Sequence, residues 1–281
     1  MKFNDEERKE FDEILDNVYI LDQYKEKKLP FFEALQLIRE THDPTIYGEP
    51  DALIHAKIEF DLRTKKKTKF VEKFRGIIMY ENQFLFSEKR NVIAVCKTEE
   101  DQQAARLAGA EMAGSTDLIN MLKAKEISLD NFDDLVCHGD MLIKLASIKS
   151  LVGKYFPSKQ RGNIGFDMKR LVSYFVNGIE YQLIKDNAEP DYGFVKVPFG
   201  RLLMSDEQLL QNFEAVLEKL DQNRPEEVNY EFITRVLISS EPCPEMFPIS
   251  FWENIDNYKD PYKSESDEEE EVIDEQVSAK N

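Results

Sequence analysis

The spacing of apolar residues changes its period several times along the chain, and each change predicts a different element. Apolar side chains recur every three or four residues in PFFEALQLIRE, which is typical of a helix with one buried face, and Pro30 suits its first position. From Leu53 the period becomes two, which predicts a half-exposed antiparallel strand. The polar side of this strand consists of His55, Lys57, Glu59 and Asp61. A lysine-rich turn, TKKKTK, and a second strand in FRGIIM follow.

From Asn91 the pattern becomes one of strands that alternate with helices. Short apolar runs in NVIAVC, AEM and DLVCHG each precede a helical segment, and these segments begin at Glu99, Thr116 and Asp140. A basic, glycine-containing loop, GKYFPSKQRGNIG, leads to one more helix across FDMKRLVSYFVNG. This stretch therefore predicts a parallel, Rossmann-like, three-layer α/β domain.

Beyond Gly178 the pattern returns to two strands, IEYQLIKD and FVKVPFG, a helix over 205–220 and a long strand in EVNYEFITRVLISS. Because strands and helices lie on both sides of the α/β block, we expect one α+β domain split by an inserted α/β domain, with a hinge near Lys89 and Gly178. The predicted division is a charged N-terminal arm at 1–28, a discontinuous α+β domain at 29–88 plus 179–263, the inserted α/β domain at 89–178, and an acidic disordered tail at 264–281.

Charge is unevenly distributed along the 281 residues, whose formal net charge is -18. The tail at 264–281 holds eight acidic residues and one lysine. In contrast, residues 57–75 carry eight basic and three acidic side chains, and residues 144–170 carry seven basic and one acidic. A run of charge is usually a solvated face, but two basic islands beside glycines and aromatics also suit contact with a phosphate backbone.

Composition excludes several classes of protein. No apolar run approaches the roughly 18–20 residues that a membrane helix needs, so no membrane association is expected. The three cysteines lack CxxC spacing, which predicts buried thiols and a reducing compartment. The acidic N-terminus resembles neither a signal peptide nor a transit peptide, so the chain is either cytosolic or a processed form.

Candidate catalytic chemistry is sparse. The first turn of the α/β block, CKTEED, has no glycine to approach a phosphate, and Thr98 is placed to cap a helix whose first turn holds three carboxylates. The later glycine loop lacks a closing GK[ST], and no histidine spacing suggests a metal site. Cys137 and His138 are adjacent, which predicts a buried cysteine and a surface or loop-end histidine. We therefore expect no enzyme activity, no cofactor and no metal.

Several segments carry information beyond their spacing: VCKTEEDQQAARLAGAEMAGSTDLINML, DLVCHGDMLIKLASIKSLVGKYFP, YFVNGIEYQLIKD, VPFGRLLMSDEQLLQNFEAVLEKL and FITRVLISS. Their order resembles that of the L-one family of large-subunit ribosomal proteins, over roughly residues 30–250. The stretch PFFEALQLIRETHDPTIYGEPDALIHAKIEFDL, with KKKTKFVEKFRG, resembles the mitochondrial branch of that family in particular.

The resemblance implies a fold and a function. The implied fold is the two-lobed ribosomal L-one fold, an α+β discontinuous domain with an inserted α/β domain. The implied function is that of a structural constituent of the mitochondrial large ribosomal subunit in the matrix. A monomer within the particle would bind large-subunit rRNA at the mobile stalk beside the tRNA exit site, where stalk movement accompanies release of deacylated tRNA.

The resemblance also implies contact residues. Arg75 and Gly76 match the family's Arg-Gly, and Ser239 and Ser240 match the hydroxyl pair that ends its last strand. An arginine can fork to phosphate, and strand-end hydroxyls can contact ribose. The other predicted rRNA contacts, added for their charge, are Lys57, Lys65, Lys66, Lys67, Lys69, Lys73 and Arg235. Candidates for contact with tRNA or rRNA backbone are Lys154, Lys159 and Arg161.

The chain departs from the family at some of these positions. Glu241, Pro242 and Cys243 stand where bacterial members have Thr-Met-Gly, Pro50 replaces an aromatic residue, and MYEN replaces LPHG. The rRNA contact is therefore weakened, remodelled or transferred to other surfaces. Two other functions stay open, namely an RNA-binding regulator that acts off the ribosome on mRNA, and an α/β enzyme.

Overall fold

The computed structural model describes residues 26–65, 69–86, 90–158, 161–186, 188–225, 231–255 and Tyr258. Three predicted contact residues, Lys66, Lys67 and Lys159, lie outside the described residues. So do Lys89 of the predicted hinge, almost all of the predicted N-terminal arm and the whole acidic tail.

Helices and strands follow one another in much the order that the sequence predicts. The helices are α1 (Phe31–Thr41), α2 (Glu99–Leu107), α3 (Thr116–Lys123), α4 (Leu142–Ala146), α5 (Lys149–Val152), α6 (Met168–Asn177) and α7 (Asp206–Asp221). The strands are β1 (Leu53–Asp61), β2 (Arg75–Ile78), β3 (Val92–Val95), β4 (Met112–Gly114), β5 (Asp134–His138), β6 (Ile164–Gly165), β7 (Ile179–Gln182), β8 (Ile184–Lys185), β9 (Tyr192–Arg201), β10 (Ile233–Ser240) and β11 (Phe247–Pro248).

The chain forms two compact units. The first unit comprises Met1–Val71, Lys185–Phe194 and Arg201–Asn281, and the second comprises Glu72–Ile184 and Val195–Gly200. The domain boundaries predicted at residues 88 and 178 lie where the sequence pattern changes from one type of element to another, whereas the two units are defined by their compactness. The predicted boundaries therefore stay a prediction.

Strands β1, β10 and β11 of the first unit belong to a five-stranded sheet with the order β11-β10-β1-β9-β8. Strand β1 runs antiparallel to β10, with Ile54 opposite Ser240. Helices α1 and α7 pack through the stacked rings of Phe31 and Phe213, whose centroids lie 4.9 Å apart. The predicted helix at α1 is confirmed, but Pro30 is its N-cap residue rather than its first helical residue. The Pro30 carbonyl accepts the Ala34 N–H at 3.1 Å.

The predicted apolar face of β1 is confirmed, whereas its polar face is more buried than a half-exposed strand would be. Glu59 is only 3% exposed and Asp61 only 4%. Burial of a carboxylate requires a compensating cation, and Asp61 has one. The Arg63 Nε donates to both Asp61 oxygens, at 2.9 and 2.7 Å. The period of the sequence identified the face correctly but not the ion pairs that cover it.

The second unit contains a four-stranded parallel sheet with the order β4-β3-β5-β6, which confirms the predicted parallel α/β block. Alternate side chains of β3 enter two different cores. Val92 and Ala94 pack in a cluster with residues of α2 and α6. Ile93 and Val95 pack in a cluster with residues of α3, α4 and α5. Helical residues therefore cover both faces, as parallel sheets require.

Two local features of this unit refine the predictions. The Thr98 side chain accepts the Asp101 N–H while the Asp101 side chain accepts the Thr98 N–H, so the predicted helix cap is a full capping box. The helix predicted from Asp140 begins at Leu142, because a 3-10 turn over Gly139–Met141 comes first. His138, predicted at the surface or a loop end, ends β5 with only 8% of its surface exposed.

The predicted buried thiols are confirmed, since all three cysteines are free and buried. Among the described helices none combines the length and the apolar composition needed to cross a bilayer.

The burial of Cys96 and Cys137 predicts low reactivity. Burial raises the pKa of each thiol to about 12, so almost no nucleophilic thiolate forms at pH 8. In a Cys243→Ser variant we expect Ellman's reagent to modify neither thiol of the folded protein over minutes, and both at once in denaturant. Rapid release of two equivalents of thionitrobenzoate from the folded variant would contradict this burial.

Candidate nucleic-acid interface

Two predicted rRNA contacts, Lys57 and Arg235, neutralise a buried carboxylate. The Lys57 Nζ lies 2.8 Å from Glu59 Oε1, and the Arg235 Nη1 lies 3.7 Å from Glu59 Oε2. Arg235 also pairs with Glu26, through Nε at 2.9 Å and Nη2 at 2.5 Å. In this Glu59 cluster (Glu26, Lys57, Glu59 and Arg235) two cations meet two carboxylates. Both cations are therefore already committed to ion pairs within the protein.

The hydroxyl pair at the end of β10 is divided between the interior and the surface. Ser240 is 1% exposed, and its Oγ donates to the Leu53 carbonyl at 2.9 Å and lies 3.2 Å from His42 Nε2. Ser239 is half-buried. Buried His42, which the sequence did not single out because THDPT reads as a turn, also lies 2.9 Å from the Ile38 carbonyl through Nδ1. Only the Ser239 hydroxyl is therefore placed to meet a ligand directly.

Single alanine substitutions should distinguish the structural role of the Ser240 hydroxyl from that of the Ser239 hydroxyl. Ser240→Ala removes buried hydrogen bonds and should lower the free energy of unfolding by about 1–2 kcal/mol. Ser239→Ala should change it by less than about 0.5 kcal/mol, as for surface positions in general. Urea unfolding of both variants measures this difference. Equal destabilisation would show that the Ser240 network contributes nothing specific.

The lysine-rich turn presents amines to solvent. Lys65 and Lys69 are exposed on either side of the turn, which is closed by the Thr64 hydroxyl donating to the Lys69 carbonyl at 2.7 Å and by the Val71 N–H donating to the Leu62 carbonyl at 2.9 Å. In the part of the chain that the structure describes, neither amine forms an ion pair. These charges, unlike those of the Glu59 cluster, remain available to a polyanion. Lys73, in the second unit, is exposed as well.

Gly76 has a structural role that does not require RNA. It pairs with Tyr181 across β2 and β7, and a Cβ at this position would lie 2.6 Å from the Tyr181 Oη and 2.8 Å from its Cζ. Because Tyr181 is buried, its ring has little freedom to move away. The Arg-Gly pair thus combines a glycine needed for packing with Arg75, whose side chain is 42% exposed.

Five charged residues of the second unit form what we call the arginine cluster: Arg75, Arg90, Asp134, Arg161 and Glu180. The Arg90 Nη2 lies 2.5 Å from Asp134 Oδ2 and 3.1 Å from Glu180 Oε2. The Arg75 Nη1 lies 4.0 Å from Glu180 Oε1. Burial raises the pKa of Asp134, against the opposing effect of Arg90. Burial and then the nearby Arg75 lower the pKa of Arg161. No sequence pattern indicated Arg90, Asp134 or Glu180, since these residues are far apart along the chain.

The buried Asn163 attaches the loop that carries Arg161 to the parallel sheet through its side-chain amide and through its carbonyl, which accepts the Cys137 N–H at 3.0 Å. The Asn163 Oδ1 accepts the Ser158 N–H at 2.8 Å, and its Nδ2 donates to the Leu135 carbonyl at 2.9 Å. Lys154 is exposed in the same region, with its ammonium 4.8 Å from the Tyr155 ring centroid. Lys154 and Arg161 therefore place positive charge close to a segment that is attached to the sheet.

The carboxyl edge of the parallel sheet is poorly suited to a nucleotide. The capping box occupies the N-terminus of α2, and three carboxylates follow in its first turn, where they repel phosphate. Lys97 at this edge is paired with Asp140 at 2.7 Å. Across the described ranges, no three His, Cys, Asp or Glu side chains are grouped as a metal site would require.

Comparison with known proteins identifies related ribosomal proteins. The chain is 29% identical over 152 residues to large ribosomal subunit protein uL1 of Rickettsia africae, covering 53% of this chain and 59% of that protein. It is 31% identical over 163 residues to uL1c of Phaeodactylum tricornutum, covering 57% and 65%. With uL1c of Rhodomonas salina the identity is 30% over 197 residues, covering 69% and 76%. The alignments thus span less than two thirds of the first two relatives.

A sequence model of one family, described as the Ribosomal protein L1p/L10e family, matches residues 19–244. This match includes both basic islands and ends just after the hydroxyl pair of β10. The chain therefore belongs to the Ribosomal protein L1p/L10e family, whose members are structural, non-enzymatic components of ribosomes.

Proposed function

We propose that this protein is a structural component of a large ribosomal subunit and binds large-subunit rRNA. The family match over residues 19–244 carries the proposal. The geometry supports it, because an acidic protein with a net charge of -18 still presents uncompensated amines at Lys65 and Lys69. Phosphate contacts of this kind provide most of the affinity of proteins for nucleic acid.

The proposal also names the organelle and the position of the protein on the ribosome. The subunit is that of the mitochondrial ribosome in the matrix, supported by the resemblance of residues 30–76 to the mitochondrial branch. The protein, a monomer within the particle, lies at the mobile stalk beside the tRNA exit site and assists release of deacylated tRNA. Its architecture is the discontinuous α+β domain with an inserted α/β domain.

The described residues support different roles for the proposed contacts. The exposed Lys65, Lys69 and Lys73 approach phosphates, together with Lys66 and Lys67 of the same turn, while Ser239 approaches ribose. Lys57, Arg235 and Ser240 support this surface from within the fold through the Glu59 cluster and the His42 hydrogen bonds. Lys154 and Lys159 contact the backbone of rRNA or tRNA.

Sedimentation with crosslinking tests the proposal. The tagged protein from isolated mitochondria should comigrate with large subunits at moderate salt, and RNA crosslinks should fall near Lys65, Lys69 and Ser239. Migration away from subunits with crosslinks to mRNA would favour the regulatory alternative. Migration away from subunits with no RNA crosslinks would contradict the assignment to the ribosome.

A binding assay with purified components adds a physical signature. Affinity for a transcript of the large-subunit rRNA stalk should fall steeply with salt, with a log–log slope of about -0.7 to -0.9 per phosphate contacted. Lys65→Ala with Lys69→Ala should make that slope shallower by about one to two. An unchanged slope in this double variant would remove the lysine-rich turn from the contact surface.

A further inference from the structure

The arginine cluster carries one more positive than negative charge, since Arg75, Arg90 and Arg161 face only Asp134 and Glu180. We infer that this cluster binds one backbone phosphate of RNA, with a phosphoryl oxygen held among its three guanidinium groups. The inference rests on the RNA-binding function proposed above. It adds a defined phosphate site, with Arg90 as a member that no sequence pattern indicated.

A small cavity lies at the centre of the cluster. Its volume is about 20 Å³, and all three arginines line it together with Asp134 and Glu180. A cavity of this size has room for about one water-sized group. One phosphoryl oxygen therefore fits, and the rest of the phosphate group lies outside the cavity. In this position a phosphodiester can continue along its chain through its ester oxygens.

The donors around this cavity are incompletely used. The Arg90 Nη1 is buried and has no hydrogen-bond partner among the residues that the structure describes. Within those residues the Arg161 guanidinium likewise forms no ion pair or hydrogen bond. A buried donor without an acceptor is costly, and a ligand oxygen would satisfy it.

Electrostatics point in the same direction. Arg75 and Arg161 are close enough for the charge of one to disfavour the charge of the other. Two like charges near each other become favourable once an anion lies between them. The two carboxylates limit the attraction, because both already share the Arg90 Nη2. The surplus of one positive charge suits one singly charged phosphodiester, and the planar guanidinium fork matches its oxygens.

The test compares Arg161→Ala with Arg170→Ala. Arg161 should be removable without loss of fold because its guanidinium forms no hydrogen bond or ion pair with a described residue, and urea unfolding verifies this. Arg170, exposed on α6 of the same unit, controls for general loss of positive charge. Binding to the stalk transcript is measured over a range of KCl concentrations.

We expect Arg161→Ala to weaken binding about tenfold near 0.1 M salt and to make the salt slope shallower by about 0.7–0.9, as for the loss of one phosphate contact. Arg170→Ala should change affinity by less than about twofold. Equal effects of the two substitutions on affinity and slope would overturn the inference while leaving the proposed function intact.

Adding inorganic phosphate in a thermal-unfolding experiment shows whether the cluster binds a phosphate of the RNA backbone or a free phosphate ion. Without RNA, phosphate should raise the Tm of the native protein and of Arg161→Ala equally, because a free ion has only one oxygen in the cavity and lacks the neighbouring contacts that hold an RNA chain in place. A phosphate-induced rise that is lost in Arg161→Ala would identify a free-anion site and overturn the assignment to RNA backbone. Failure of the native protein to bind the transcript at all would instead refute the proposed function, and with it this inference.

Discussion

Replacing Arg235 by alanine is expected to lower the free energy of unfolding by about 3–5 kcal/mol, because it removes one of the two cations that compensate the buried Glu59 and also removes the partner of Glu26. Glu59 is almost fully buried, and Arg235 bridges it to Glu26. Lys57 alone would then have to compensate the Glu59 carboxylate. Urea unfolding at pH 7, monitored by circular dichroism, measures the loss through the shift in midpoint.

Two further variants assign that loss to the buried carboxylate. Glu59→Gln in the Arg235→Ala background should recover part of the stability, since the almost fully buried carboxylate is then neutral, while the ammonium of Lys57 is still partly exposed to water. Lys57→Ala should cost less than Arg235→Ala, because Lys57 pairs with Glu59 alone, whereas Arg235 pairs with both Glu59 and Glu26. A loss below about 1 kcal/mol in Arg235→Ala, or the absence of any recovery in the double variant, would contradict the role assigned to the Glu59 cluster.

Asn163→Ala is expected to be the second most damaging of the changes considered, at about 2–4 kcal/mol. The substitution leaves the buried Leu135 carbonyl and the Ser158 N–H without the partner that each has now. Buried polar groups that lose a partner each cost about 1–3 kcal/mol. Thermal unfolding measures the loss, and hydrogen exchange should show the Ser158 amide becoming much less protected.

Asn163→Asp is the matched control for this prediction. A carboxylate keeps the acceptor for the Ser158 N–H but places negative charge against the Leu135 carbonyl, so the fold should be destabilised while the loop keeps one of its two side-chain attachments. If Asn163→Ala left both stability and Ser158 protection unchanged, the loop would be held by other contacts. The proposed site at Arg161 would then not depend on this amide.

The sequence predicted those parts of the fold that depend on local periodicity. The apolar repeat of α1, the alternation in β1 and the alternating runs from Asn91 each correspond to an element of the structure. The burial of Glu59 could not be predicted in this way, because a period of two distinguishes the two faces of a strand without showing what covers them. Its partner Arg235 comes from a strand far along the chain.

In the candidate site, too, the sequence could predict features that depend on neighbouring residues but not those that depend on residues far apart along the chain. Neighbouring residues of a strand point to opposite faces, so the different surroundings of Ser239 and Ser240 could have been expected from the sequence. The arginine cluster could not, since its five members come from five separate segments that only the folded chain brings together. Gly76 was assigned through its family motif, and only the structure shows its contact with Tyr181.

The pairing of β1 with β10 has a consequence for how the protein is made. Strand β1 is made before β10, so the register that joins Ile54 to Ser240 cannot form until all the residues between these two strands have been synthesised. At about 5–20 residues per second, that interval lasts roughly 10–40 s. During this time one edge of β1 lacks the backbone hydrogen bonds that β10 later provides, and an unpaired strand edge is prone to aggregation. Nascent chains of this protein should therefore depend on chaperones until β10 emerges, and slowing elongation should prolong that dependence rather than relieve it.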